Sequence, residues 1–146
     1  MKVSSEVQAI FNAAYNEAKL RNHEYLMPEH ILFASLSFEK VRAIFESCDA
    51  DLEQMRRSIE AYFEQKMPIV RNAEPIQSAG FQAVIERAVM QSQSAGKEEV
   101  QISDLVVSLY DEERTYAGYL MRKLGIKRLQ LLEVLSHGVN LSLIHI

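Results

Sequence analysis

Sliding the sequence against itself by 74 positions lays Val7-Gln8-Ala9-Ile10-Phe11 over Phe81-Gln82-Ala83-Val84-Ile85. The same shift puts Asn22 on Gly96, Leu26 on Val100 and Ile31-Leu32-Phe33 on Leu105-Val106-Val107. With a three-residue adjustment, Asp51-Leu52 and Met55 fall on Arg128-Leu129 and Leu132. A chain that repeats itself once builds one supersecondary unit twice, and each copy can bury its apolar faces partly against the other. Two copies of so long a period exclude an open solenoid. The expectation is a duplicated four-helix motif with a pseudo-symmetric interface.

Apolar spacing is helical nearly everywhere. Val7, Ile10, Phe11, Ala14 and Ala18 recur at three and four, so residues 5–21 read as an amphipathic helix, with Ser5 and Gln8 as a capping box. After the polar turn Asn22-His23-Glu24, a second helix starts at Pro28, whose missing N–H costs nothing at the first helical position; Glu29 adds negative charge to the positive first turn. Phe38, Val41, Ile44 and Phe45 mark a third helix. A fourth, capped by Asp49 or Asp51, carries Leu52, Met55, Ile59, Tyr62 and Phe63. Residues 66–78 hold two prolines and no helical period, and read as a loop. The fifth helix carries Phe81, Val84, Ile85 and Ala88 and stops near Gly96. The sixth, Leu105–Tyr110, is capped by Ser103; the seventh spans about Thr115–Leu124 before Gly125; the eighth holds Leu129, Leu132 and Leu135. Eight helices and no strand make an all-α fold, with a first repeat over 1–65, a loop over 66–78, a second repeat over 79–138 and a tail over 139–146. Residues Leu141–Ile146 (LSLIHI) match the translation of a sequencing-library transposon adaptor, so the tail is expected to be foreign and the native chain to continue past about Val139.

At 146 residues the chain is one domain's worth, and 48% apolar with 25% charged residues is a soluble, globular mixture. A net charge of −4 gives no general attraction to nucleic acid or anionic lipid. No apolar run approaches the roughly 20 residues that span a bilayer. The single cysteine, Cys48, excludes an internal disulfide, fits a reducing cytoplasm and reads as a small buried residue. His23-Glu24 and Glu29-His30 lack the His-Glu-x-x-His spacing that puts two imidazoles on one helix face, and Pro28 lies between them. They read as capping and surface hydrogen-bonding groups, with at most an adventitious ion at His23. Gly96-Lys97 is followed by Glu98, and position 91 is glutamine, so no phosphate-cradling loop exists there. Glu98-Glu99, Glu112-Glu113, Arg56-Arg57 and Arg122-Lys123 read as solvated charge, and the methionines Met55, Met90 and Met121 as core. No catalytic constellation, metal or cofactor is expected.

The run NHEYLMPEHILFASL resembles the Clp N-domain signature, in the His-Glu-aromatic, then Glu-His-(Leu/Ile)-Leu form typical of the ClpA type. The likeness extends through ESCDADLEQMRRSIEAYFEQ, SAGFQAVIERAVMQSQSAGKEEV, AGYLMRKLGIKRL and LLEVLSHG, over essentially residues 1–138. ClpC- and ClpB-type domains share the duplication without the His23-Glu24-Tyr25 and Ser136-His137-Gly138 patterns. The resemblance implies a non-catalytic, monomeric module at the start of a cytoplasmic hexameric AAA+ unfoldase that feeds the ClpP peptidase, docking the ClpS adaptor and substrate polypeptides. It places Glu24 and Glu29, with His23 beside them, against a basic adaptor residue; two carboxylates beside a turn can clamp one lysine with charge-assisted hydrogen bonds. It assigns a second patch to Ser78, in place of the usual threonine, with Arg87 and Arg128, while Ala83 departs from an arginine often found there. Met27 replaces the usual hydroxyl cap, a loss of about 1 kcal/mol that Pro28 partly offsets. The alternatives are a standalone helical scaffold and a ClpC- or ClpB-type domain that binds other adaptors or aggregated substrates.

Overall fold

The computed structural model describes residues 1–137, and the tail reading for 139–146 lies outside them. Among the described residues, eight helices are connected by turns and two-residue strands: β1 (Lys2–Val3), α1 (Ser5–Leu20), β2 (Tyr25–Leu26), α2 (Pro28–Ser35), α3 (Glu39–Ser47) and α4 (Leu52–Lys66), then β3 (Ile76–Gln77), α5 (Ala79–Ser94), β4 (Glu99–Val100), α6 (Ile102–Asp111), α7 (Tyr116–Lys123) and α8 (Arg128–Ser136). The fold is all-α, as the periodicity requires.

The duplication is visible in backbone detail. Ser4 caps α1 by accepting from Val7 N at 3.1 Å, and Ser78 caps α5 by accepting from Phe81 N at 3.1 Å. Asn22 (φ 57°) and Gly96 (φ 73°) make the same left-handed turn after these helices. Glycine enters that region without steric cost, and asparagine is one of the few side chains that tolerate it. The strands then cross over. β1 pairs with β4, and β2 with β3, both in parallel, so each repeat contributes its leading strand to the other. This exchange ties the halves together through main-chain hydrogen bonds that no apolar pattern announces, which is why a purely helical reading missed the strands.

Several caps differ from expectation. Ser4, not Ser5, caps α1, and Gln8 instead bonds Asn12 at 3.0 Å along the helix. Asp51 caps α4, while Asp49 occupies a left-handed turn (φ 58°). The start of α6 lies three residues earlier than expected, at Ile102; its N-cap is Gln101, not Ser103, and Asp104 at the third helical position accepts back from Gln101 N at 2.9 Å. The loop 66–78 is more than a connection: Val70 N donates to Asn22 O at 2.8 Å, and its end forms β3.

The core runs continuously through both repeats. Val7, Ile10, Ala14 and Ala18 on α1 and Phe81, Val84 and Ala88 on α5 bury the apolar stripe, with Phe45 and Phe63 inside the first repeat. Truncating a phenylalanine so placed costs about 3–5 kcal/mol. Cys48 is buried, and burial pushes its thiol pKa up. Met55 and Met121 are core; Met90, expected there, is exposed. No helix of the described residues is long and apolar enough to cross a membrane.

Candidate functional site: an inter-repeat groove

The first turns of α2, α5 and α7 converge on a groove of about 450 Å³ between the repeats. Pro28 and Glu29 come from α2, Ser78 to Gly80 from the start of α5, Thr115 and Tyr116 from the start of α7, and Tyr62 from α4. Helix starts carry unsatisfied N–H groups and partial positive charge, so three of them facing one space favour acceptors there. Two starts are capped by hydroxyls, Ser78 on α5 and Thr115, which accepts from Gly118 N at 3.2 Å, on α7. At α2 the missing hydroxyl of Met27 is replaced differently: His30 Nδ1 accepts from Met27 N at 2.9 Å.

Glu29 is the unusual member. It is 1% exposed, and its Oε2 accepts from Ala117 N at 2.8 Å, a direct bond from the first repeat to the N-terminus of α7. Its Oε1 is buried without any hydrogen-bond partner. Burial pushes its pKa up, and the backbone N–H groups, Ala117 first, only partly oppose this. Read from sequence as a capping or surface hydrogen-bonding group, Glu29 is therefore a buried acid. Tyr62 and Tyr116 stack beside it with ring centroids 4.4 Å apart, and burial, then the Glu29 charge, raises the Tyr62 pKa.

Glu112 is buried on the same groove, with Arg87 at 3.0 Å and Arg114 at 3.2 Å. Burial alone pushes its pKa up, but the hydrogen bonds from Arg114 and Arg87 overcome this and hold its carboxyl below the usual range. Behind α2, His23 and His30 are buried and share a 2.8 Å contact between His23 Nδ1 and His30 Nε2. Because His30 Nδ1 accepts from Met27, its proton sits on Nε2 and His23 Nδ1 is the acceptor. His30 also stacks on Phe63 with centroids 4.8 Å apart. Burial, then His23 and Arg21, lowers the His30 pKa to about 3; burial and Arg21 lower that of His23. These imidazoles are interior neutral groups, not the surface hydrogen-bonding groups expected. Among the described residues no cluster of three or more His, Cys, Asp or Glu is placed to hold a metal ion.

The residues singled out in the sequence thus separate. Glu29 and Ser78 line the groove, and Arg87 reaches its edge through Glu112. Glu24 lies just before β2, half-exposed, its backbone bonded to Pro68 O and Ile76 N. His23 is interior, and Arg128 pairs with Asp111 through two bonds at 2.9 and 3.0 Å, away from the groove walls. Tyr62, Glu112, Arg114 and Tyr116 were missed; Tyr62 and Tyr116 lie in different repeats, and only the fold joins them.

Two interlocked four-helix repeats meeting at a groove of helix starts define a helical interaction module. The chain belongs to the Clp repeat (R) N-terminal domain family, whose model matches residues 2–124. Modules of this family are non-catalytic. A "ClpA homolog protein" of Fuscovulum blasticum is 27% identical over 140 residues, covering 93% of this chain and 18% of the relative's length. The N-terminal domain of Hsp104 from Candida albicans superposes with a TM-score of 0.80 at 16% identity, covering 92% of this chain and 91% of that one. The ClpV N-domain in complex with a VipB peptide superposes with a TM-score of 0.76 at 16% identity, covering 96% and 88%.

Proposed function

We propose that this domain docks an adaptor of the ClpS type, and substrate polypeptides, for a ClpA-type AAA+ unfoldase ring that works with the ClpP peptidase in a reducing cytoplasm. The observation that carries the reading is the groove between the repeats, where a buried, half-satisfied carboxylate, Glu29, sits among three helix starts. The likeness to a ClpA homologue supports the unfoldase assignment. A basic adaptor side chain is the natural complement of Glu29, and the half-exposed Glu24 contributes at long range. Ser78 and Arg87 form the far lip of the groove; Arg128 belongs to a more distant part of the contact.

A second reading is favoured by one fold neighbour: the ClpV N-domain is seen with a peptide. Here the groove receives an extended or helical peptide directly, without a folded adaptor.

Calorimetric titration of the domain with a ClpS protein tests the first reading. Saturable one-to-one binding, weakened at least tenfold by Glu29→Gln and less by Glu24→Ala, is expected. Failure to bind ClpS, with the helical circular dichroism of the domain intact, overturns the adaptor reading; binding of unfolded polypeptide in the same experiment then establishes the second.

A further inference from the structure

Three charged side chains line the groove: Glu29, Glu112 and Arg114. Glu112 and Arg114 are matched, since Glu112 accepts from both Arg87 and Arg114. Glu29 is matched at one oxygen only. Its Oε2 takes the Ala117 N–H, and Oε1 is left buried and unpaired. A glutamine could take the same N–H through its amide oxygen. What the carboxylate adds is negative charge on Oε1, and an unpaired buried charge is costly. Protonation removes that cost while the groove is empty; a cation at Oε1 removes it when the groove is filled.

We propose that docking in this groove is proton-linked through Glu29: an ammonium or guanidinium group of the incoming polypeptide pairs with Oε1, fixes the carboxylate in its ionised form and releases the proton held in the empty groove. The proposal rests on the reading of the groove as the docking site. The direction agrees with the raised pKa of Glu29 in the empty domain. The groups facing Glu29 are Tyr62 from α4, Tyr116 from α7, Glu112 and Arg114 from the turn before α7, and beyond them Arg87 of α5. Tyr62, its pKa raised by burial and then by the Glu29 charge, stays protonated through the mildly acid range. Glu112 stays ionised there because two arginines hold it. His30, next to Glu29 on α2, is occupied by His23 and Met27 and stays neutral down to about 3. Glu29 is therefore the groove acid whose titration burial moves up toward that range, with one oxygen free to take a proton or a cation. Affinity is constant above the empty-groove pKa of Glu29. As pH falls below it, affinity drops about tenfold per unit, because one proton must leave for each partner bound.

The probe is a five-residue peptide, N-acetylated and C-amidated, with one central lysine and no histidine or acid, so that its own charge is constant from pH 5 to 8. Carbon-detected NMR reads the titration of the Glu29 carboxyl with and without the peptide, and the peptide's affinity is measured at each pH. The expected result is a Glu29 pKa above the ordinary carboxylate value in the empty domain, lowered at saturation. Affinity should fall with acid in the wild type and be weak and pH-independent in Glu29→Gln. The same peptide with norleucine in place of lysine should show no pH dependence. A lysine peptide that binds equally at all pH values, or that keeps its pH profile in Glu29→Gln, overturns the proton link. So does a domain that binds the adaptor protein but not the peptide. Failure of both adaptor and peptide to bind at any pH overturns the docking function itself, while the Glu29 titration of the empty domain still shows the group intact.

Discussion

The two repeats share a backbone and differ at their helix starts. Ser4 and Ser78, Asn22 and Gly96, and Asp49 and Gly125 do the same jobs in each half, because caps and left-handed turns are conditions for the chain to turn at all. The first turns of α2 and α6 have diverged. Where α2 has Glu29 and His30, α6 has Ser103 and Asp104. Asp104 fulfils the return bond to its own N-cap and is held by Lys97 at 2.9 Å, so nothing is left unsatisfied. His30 makes the same return bond but stacks on Phe63 and leans on His23, and its neighbour Glu29 is left with an orphan oxygen. The partner helices diverge as well. The position of Gly80 on α5 corresponds to Glu6 on α1, and that of Ala117 on α7 to Lys40 on α3; Glu6 and Lys40 form a 3.1 Å ion pair, whereas Gly80 and Ala117 border Glu29 and the groove. Duplication kept what folding needs and left one helix-start cluster with a buried, half-satisfied acid.

The sharpest break between the repeats is at Gly118, whose counterpart on α3 is the buried Val41. A Cβ at position 118 would lie 2.5 Å from Glu112 O, a backbone atom that cannot yield without moving the turn that carries Glu112 and Arg114. Gly118→Ala should cost about 3 kcal/mol or more in urea unfolding, at the upper end of overpacking effects. It should also weaken docking, because the same turn borders the groove. A wild-type unfolding midpoint for Gly118→Ala would show that the second repeat is not built around this close approach.

Next in size is an acid sensitivity that comes from the histidine pair of the first repeat. His23 and His30 are neutral in the fold, with pKa values lowered by burial, and return to about 6.5 when unfolded. Below about 6.5 the unfolded chain takes up protons that the native pair refuses, so stability is intact above that value and is lost as pH falls toward the folded values. The slope approaches about 1.4 kcal/mol per pH unit for each histidine. Glu29 acts in the opposite sense, since its raised pKa means a penalty present at neutral pH that acid relieves. His30→Asp imports the second repeat's residue. It keeps the return bond to Met27, loses the stack on Phe63, and should be about 2 kcal/mol less stable at pH 7. It should nonetheless flatten the pH dependence between 5 and 7, since His23 would then face an anion and keep its own proton. An acid profile as steep as the wild type's would show that the histidine pair is not its source.

How much of this was legible follows from what a linear pattern can carry. The duplication, the eight helices and the turns at Gly96 and Gly125 were readable because periodicity and glycine act locally. The strand exchange was not, since a two-residue strand has no period and its partner lies in the other repeat. Glu29 was singled out by its position at the start of α2, but its burial was not readable, because the N–H that holds Oε2 belongs to Ala117. The histidine pair was visible as two letters seven apart, and its interior placement became visible only with Phe63 beneath it. Tyr62 and Tyr116 had no signal at all, because an inter-repeat wall has no sequence spacing.

The smallest expected effect is the most informative about whether the second cluster is a retired site. The Lys40–Glu6 pair is solvent-exposed, with side-chain exposures of 69% and 47%, so Lys40→Ala should change stability by less than about 1 kcal/mol, and by less still in high salt. It should leave adaptor affinity and the one-to-one stoichiometry unchanged, because Ser103 supplies no acid where Glu29 does. Calorimetry that found a second equivalent of partner bound to Lys40→Ala would mean that the ion pair alone keeps the cluster around Glu6, Lys40 and Ser103 closed. The two halves would then be alike in function as well as in backbone.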